Sequence, residues 1–168
     1  LYVDLLLGDD GHALLYAPFL NYADGNLDAA AEMLGHAHTV PGLGDGGAHV
    51  GTICDGSFPT YLLQHRVRDR QGARLDLAYA VRQQARDTAR AVGLTDRGVL
   101  APGMRADLNV IDLDRLTLHL PEVRYALPAG GRRLVQQAEG YRHTVVAGQE
   151  TYRDGEATDA LPGRLIRG

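Results

Sequence analysis

His38-Thr39-Val40-Pro41-Gly42-Leu43-Gly44-Asp45-Gly46-Gly47-Ala48-His49-Val50-Gly51 (HTVPGLGDGGAHVG) runs from a short apolar stretch directly into a glycine-flanked acid. Thr39 to Leu43 has the length and apolar character of a buried strand, with Pro41, which removes a ladder donor, at its start or at a bulge. A strand ending in Gly44-Asp45-Gly46-Gly47 sets one carboxylate at the carboxyl end of a parallel strand, where open α/β sheets and α/β barrels keep their sites. Glycines on both sides remove the Cβ atoms that would hold a metal or substrate away from the backbone. Asp-Gly-Gly is by itself also a common turn signature, so the tripeptide alone allows a plain turn.

Toward the amino terminus, Ala13 to Tyr16 is a second apolar run of strand length, preceded by a GDDG turn at 8–11. Leu1 to Leu7 reads as a helix end or a short buried strand. The NYADGN loop at 21–26 leads into a helix over Leu27 to Leu34, in which Leu27, Ala30, Ala31 and Leu34 fall at i, i+3, i+4 and i+7 and Gly35 supplies the stop. On the other side of the motif, two helices are expected, Pro59 to about Arg68 and Asp76 to Val92. In the second, Leu77, Val81, Ala85 and Ala89 recur every four residues, with Asp76 as N-cap and Gly93 as terminator. Beyond Gly93 the chain changes character. Val99 to Leu100, Leu108 to Ile111 and Thr144 to Ala147 are β-branched-rich runs separated by APGMRAD, LPAGG and AGQE turns. The expectation is an α/β chain in two parts, 1–93 and 94–168.

Composition bounds the function. With 168 residues, 45% hydrophobic and 23% charged, the chain can bury a domain core. Seventeen basic against twenty-one acidic side chains give a net charge of −4 with both signs interspersed, which argues against nucleic-acid binding. No apolar run approaches the roughly 18–20 residues that cross a bilayer, and LYVDLLLGDD is acidic where a signal peptide is basic, so a soluble cytoplasmic protein is expected. The single cysteine, Cys54, excludes an internal disulfide and a multi-cysteine zinc cluster and reads as a small buried hydrophobe. The first residue is Leu1 rather than Met, from which a longer parent chain is expected.

Three stretches, HTVPGLGDGGAHVG at 38–51, SFPTYLLQHRVRDR at 57–70 and TARAVGLTDRGVLAPGMRADLNVIDLDRL at 88–116, resemble the carboxy-terminal part of an amidohydrolase. The GLxDRGxxxPGxxADLxVxD pattern is shared across that superfamily; the GDGGAH and SFPTYLL segments resemble the branch of N-acyl-D-amino-acid deacylases, or D-aminoacylases. The resemblance implies an elliptical (β/α)8 barrel of the TIM type, followed by the carboxy-terminal part of a small β-sandwich. Residues 13–43 would supply its last two strands and the helix between them. Asp45 matches the aspartate at the end of the last strand, which faces one or two zinc ions, can be a metal ligand, and shuttles a proton from metal-bound water to the leaving nitrogen. Zinc lowers the pKa of bound water to about 7, so a nearby carboxylate can complete such a transfer.

Two departures from the family pattern stand beside this. A (β/α)8 barrel takes around 250 residues, and the H-x-H pair, bridging ligand and later histidines of the family would lie upstream of Leu1. The isolated chain is therefore expected to be inactive and to need the missing amino-terminal part of the barrel as its partner. Gly44 stands where relatives often carry serine. Among other residues, His36 and His38 form an H-A-H, since i and i+2 of a strand share a face, but no third ligand is near and a helix C-terminus is the simpler setting. His49 could orient a substrate carboxylate or bond to backbone. Arg66, Arg68 and Arg70 suit an acidic substrate group or, more simply, a charged helix face. Asp96-Arg97-Gly98 and Pro102-Gly103 with Asp107 read as turns and inter-domain pins.

Hydrolysis of a small-molecule linear amide, an N-acyl-D-amino acid, is the leading expectation. The alternatives are a cyclic-amide hydrolase of the dihydroorotase or hydantoinase kind, and a non-catalytic fragment or interaction module that needs a separate amino-terminal half. Part of a barrel leaves strand edges and apolar helix faces that favour association, a homo-oligomer included.

Overall fold

The computed structural model describes residues 1–16, 22, 24–42, 44–47, 49–52 and 54–166. Two compact units divide the chain, Leu1–Thr39 and Val40–Gly168.

In the first unit, helix α1 spans Tyr2–Leu6, and Gly8–Gly11, expected as a turn, forms a single helical turn distorted at Asp9 and Asp10, which take left-handed φ values of 53° and 52°. Helix α2 spans Asp28–Gly35, within a residue of the stretch that the Leu27/Ala30/Ala31/Leu34 spacing predicts. The Asn26 side chain accepts from Asp28 N–H at 2.8 Å, a local bond that supports its first turn. Ala13–Tyr16, expected as a strand, is not one. The same holds for Thr39–Gly42, while Leu43, the end of that expected strand, lies outside the described residues, as do Asn21 and Ala23 of the NYADGN loop. The physical reason is pairing. A parallel strand forms all its ladder bonds with neighbours reached by long crossovers, and every strand pair among the described residues is antiparallel.

The second unit opens with the glycine-rich connection 40–57 and enters helix α3, an α-helix over Phe58–Tyr61 that widens into π-type turns over Leu62–Asp69. The widening is explicit at its end, where Arg70 N–H donates to the carbonyl of His65, five residues back, at 2.8 Å. Helix α4 runs Leu77–Arg82, passes through a π-type segment over Gln83–Asp87 and ends at Thr88–Ala91. Asp76 caps it, its carboxylate accepting from Tyr79 N–H at 2.8 Å, and Gly93, at φ 80°, ends it.

Eight strands follow among the described residues. Strands β1 (Leu108–Ile111), β6 (Tyr141–Val146), β7 (Gln149–Arg153) and β8 (Glu156–Ala157) form one antiparallel sheet in the order β1-β6-β7-β8. Strand β2 (Thr117–Leu118) pairs with β5 (Ala138–Glu139), and β3 (Glu122–Leu127) pairs with β4 (Gly131–Val135) across the LPAGG turn. Val99–Leu100, expected as a β run, carries no strand. Helices before residue 93 and strands after it fit a mixed α/β chain.

Leu62, Leu63, Ala80, Ala89 and Leu116 form the buried apolar set, Leu116 fully enclosed; each large member contributes about 1.5–3 kcal/mol. Helix α3 meets the strands through named bonds. Thr60 and Tyr141 share a hydroxyl bond of 2.7 Å, and Leu118 N–H donates to the Gln64 side chain at 2.8 Å. Gly140, at φ 98°, lies against Leu116, where a Cβ would stand 2.7 Å from the leucine Cα.

Three carboxylates on or beside the sheet, Asp107, Asp112 and Glu150, are paired. Asp107 accepts from Ala147 N–H at 2.8 Å and from Arg105 at 2.8 Å, with Arg97 at 3.6 Å. Burial raises its pKa, but the Ala147 N–H and the two guanidinium groups outweigh that and leave it below the ordinary range. Asp112 is held low first by Arg142, whose guanidinium donates at 3.1 Å. Glu150 is lowered to about 2, first by Arg153 and then by His143. Gly98, at φ 83°, packs on α4, where a Cβ would lie 2.7 Å from the Ala85 carbonyl. The Asp96-Arg97-Gly98 and Asp107 segments are thus turns and pins, as their sequence suggests.

Candidate active site

The connection carrying Asp45 is built from short-range bonds. Gly47, at φ 95°, turns the chain, and His49 sits in the left-handed region at φ 46°. Thr52 N–H donates to the His49 carbonyl at 2.6 Å, closing a tight turn around residues 49–52. Asp45 N–H donates to the Asp55 carboxylate at 2.9 Å. Beyond it, the Asp55 carbonyl accepts from Phe58 N–H at 3.3 Å, so the connection ends by starting α3. Leu134 N–H donates to the Val50 carbonyl at 2.7 Å and the Ser57 hydroxyl donates to Gln136 at 2.6 Å, which tie the loop to β4 and the residue after it.

Glycine is required where the loop crosses itself. A Cβ at Gly44 would stand 2.8 Å from the Asp55 carbonyl oxygen, and one at Gly46 would stand 2.7 Å from Gly56 N. The serine that relatives often carry at position 44 does not fit this arrangement without a shift. Gly44 is therefore a packing requirement here rather than a lost hydrogen bond.

Asp45 is exposed, and among the described residues its carboxylate makes no hydrogen bond or ion pair. His49 is exposed too, and no hydrogen bond among the described residues joins it to Asp45. A depression of about 300 Å³ is lined in part by Gly46 and Gly47, next to Asp45 in sequence, and by Cys54, Ser57, Leu134 and Gln136. Neither Asp45 nor His49 lines it. Cys54 is half-buried, and burial, followed by the neighbouring Asp55 charge, pushes its thiol pKa up. A thiol so placed is a poor nucleophile, in keeping with its reading as a small hydrophobe.

The other sequence candidates resolve separately. His36 and His38, in the first unit, have ring centroids 5.5 Å apart, and His36 follows the end of α2, where its N–H donates to the Met33 carbonyl at 3.2 Å. No group of three or more His, Cys, Asp or Glu side chains arranged to hold a metal ion occurs among the described residues. Arg68 is committed to structure: it pairs with Asp69 at 2.5 Å and donates to the Leu113 and Asp114 carbonyls at 2.5 and 3.2 Å. Arg66 is buried, its carbonyl accepting from Leu75 N–H at 2.9 Å. Sequence reasoning missed Asp55. Its only sequence signal is an Asp-Gly pair just before a helix that begins Phe-Pro, a common turn pattern.

Chemically, the loop presents one free carboxylate on a backbone fixed at its own N–H, next in sequence to two glycines of a depression with hydroxyl, amide and apolar lining. No described helix is long and apolar enough to cross a membrane. No solved structure matches the chain. Residues 7–152 match a sequence model described as that of the amidohydrolase family.

Proposed function

The chain belongs to the amidohydrolase family, a family of hydrolases that commonly bind metals, and on that premise we propose that it serves the hydrolysis of linear amides, N-acyl-D-amino acids in particular. Asp45 is the residue that carries the proposal, as an exposed carboxylate free of ion pairs among the described residues, on a backbone tied at its N–H. Amide hydrolysis needs a proton taken from water and a proton given to nitrogen, and one group can do both. Water loses a proton as its oxygen bonds to the carbonyl carbon, and the nitrogen gains one as the C–N bond breaks. An Asp45 carboxylate oxygen accepts the first proton and delivers it to the nitrogen, ending as it began. His49, four residues on, orients the substrate carboxylate.

The described residues do not fit a complete metal centre, since no three ligand side chains converge. Zinc, as one or two ions, is assigned here from the resemblance to D-aminoacylases, with Asp45 as the ligand proposed among the described residues. Its other ligands fall to an amino-terminal part of the barrel, the partner that this assignment requires. Residues 1–93 belong to that barrel and 94–168 to the sandwich beside it, in an enzyme of the cytoplasm.

A substrate panel on the parent enzyme tests the proposal. Release of free D-amino acids from N-acetyl-D-amino acids, with hydantoin and dihydroorotate untouched, is the expected result. The reverse pattern would replace it with the cyclic-amide reading. Turnover of neither class by the parent enzyme, loaded with zinc, would leave the chain as an interaction module.

A further inference from the structure

We infer that Asp55 is the positioning residue that fixes the backbone of Asp45 for proton transfer, an inference that rests on the role proposed for Asp45. Asp55 holds the turn in two ways. Its carboxylate accepts from Asp45 N–H at 2.9 Å, and its carbonyl accepts from Phe58 N–H at 3.3 Å, the first residue of α3. One residue therefore joins the Asp45 backbone to the start of a helix whose Leu62 and Leu63 are buried.

Contacts on either side of Asp45 reinforce this. The Gly44 Cα faces the Asp55 carbonyl so closely that a Cβ there would lie 2.8 Å from the oxygen and 3.1 Å from the Asp55 Cγ. Gly46 faces Gly56 in the same way, since a Cβ on Gly46 would lie 2.7 Å from the Gly56 nitrogen. The Asp55-Gly56 segment thus crosses the Gly44-Asp45-Gly46 turn in direct contact at both flanks. With the N–H of Asp45 bonded and both neighbouring glycines packed, the turn's backbone is set, and only the two side-chain torsions of Asp45 remain to aim its carboxylate.

A carboxylate that takes a proton from one atom and returns it to another must stay within hydrogen-bond reach of both, roughly 2.6–3.2 Å. A misplacement of about 1 Å can lower rates by about a hundredfold. Asp55 spends a carboxylate oxygen on a backbone N–H, so it acts through Asp45 and not on substrate.

The test is made in the parent enzyme. Asp55→Ala is expected to lower kcat roughly ten- to hundredfold while KM stays within about threefold. Asp55→Asn, whose side-chain oxygen can still accept from Asp45 N–H, is expected to recover most of that loss, whereas a role through charge would leave Asn as damaging as Ala. Amide hydrogen exchange over residues 44–46 should quicken in the alanine variant and stay slow in the asparagine one. A folded Asp55→Ala enzyme with wild-type kcat overturns the inference, as does an asparagine variant no better than alanine. If Asp55→Ala does not fold, Gly44→Ala, which drives a methyl onto the Asp55 carbonyl, should reproduce the kcat loss, and a folded Gly44→Ala with full kcat is again fatal. Asp45→Asn separates the two levels. If that variant stays active, the proton-transfer role fails, and the anchoring is decided by exchange alone: faster exchange at 44–46 in Asp55→Ala upholds it and unchanged exchange refutes it.

Discussion

The glycine-rich connection at 44–57 and the antiparallel sheet at 108–157 both display carboxylates, and they use them in opposite ways. At the sheet, Asp107 and Asp112, which flank β1, and Glu150 on β7 each sit against arginine, and Asp107 also takes a backbone N–H. In the connection, Asp45 presents its carboxylate to solvent with no partner among the described residues, while Asp55 gives its own to the Asp45 backbone. A carboxylate saturated by guanidinium groups is held ionised and is a weak proton acceptor. An unpaired one on a fixed backbone is available for chemistry. Pairing, not residue type, separates the structural acids of this chain from the one proposed to work.

The contrast breaks most sharply at Asp45. Asp45→Asn in the parent enzyme should lower kcat by roughly a hundredfold or more, because the amide cannot take the proton, and should leave the thermal midpoint unchanged. Activity and melting measured on the same preparation decide it; a melting shift with activity intact would make Asp45 structural like the others. Next in size is the core beneath the sheet. Leu116→Ala removes a fully enclosed side chain and should destabilise by about 2–5 kcal/mol, read from chemical denaturation. Asp107→Ala should follow at about 0.5–1.5 kcal/mol, because the exposed Ala147 N–H exchanges its carboxylate acceptor for water. Activity per folded molecule should hold in that variant.

The smallest effect is a pH dependence. Glu150 lies at about 2 against an ordinary 4.5, so the folded state binds fewer protons there than the unfolded chain does. Its contribution to stability is complete above pH 4.5 and is lost as the pH falls toward 2. Glu150→Gln should flatten that part of the acid slope in thermal midpoints measured against pH. An unchanged slope would show that its pairing with Arg153 and His143 is not what the folded state protects.

Much of this architecture was legible where the controlling interactions are close in sequence. The four-residue spacing of Leu77, Val81, Ala85 and Ala89, the cap at Asp76 and the stop at Gly93 predict α4. The structure keeps the helix, its cap and its stop, although Leu77 and Val81 of the predicted stripe are exposed. Leu108–Ile111 became β1, and of the run at 144–147 the first three residues became the second half of β6, with Ala147 left in the turn after it. Ala13–Tyr16 and Thr39–Gly42 did not become strands, because an apolar run states a preference for burial and cannot supply the neighbour that a parallel ladder needs. The π-type widening of α3 and α4 left no periodic mark. At the site, the glycines around Asp45 were readable, but their reason was not. They make room for Asp55, ten residues away, and nothing in the intervening sequence ties the two together.

The spacing of two bonds bears on the order in which the molecule assembles. The Asp45–Asp55 bond spans ten residues, whereas the Thr60–Tyr141 hydroxyl pair spans eighty-one. Closing the longer loop carries about 2 kcal/mol more chain entropy than closing the shorter one, and loops of about ten residues meet in roughly 10–100 ns. The turn that aims the proposed catalytic acid can therefore be set by its own stretch of chain early in folding, before strand β6 docks on helix α3. Damage to the late-forming strands would then lower the yield of folded protein while leaving the shape of that turn intact in every molecule that folds.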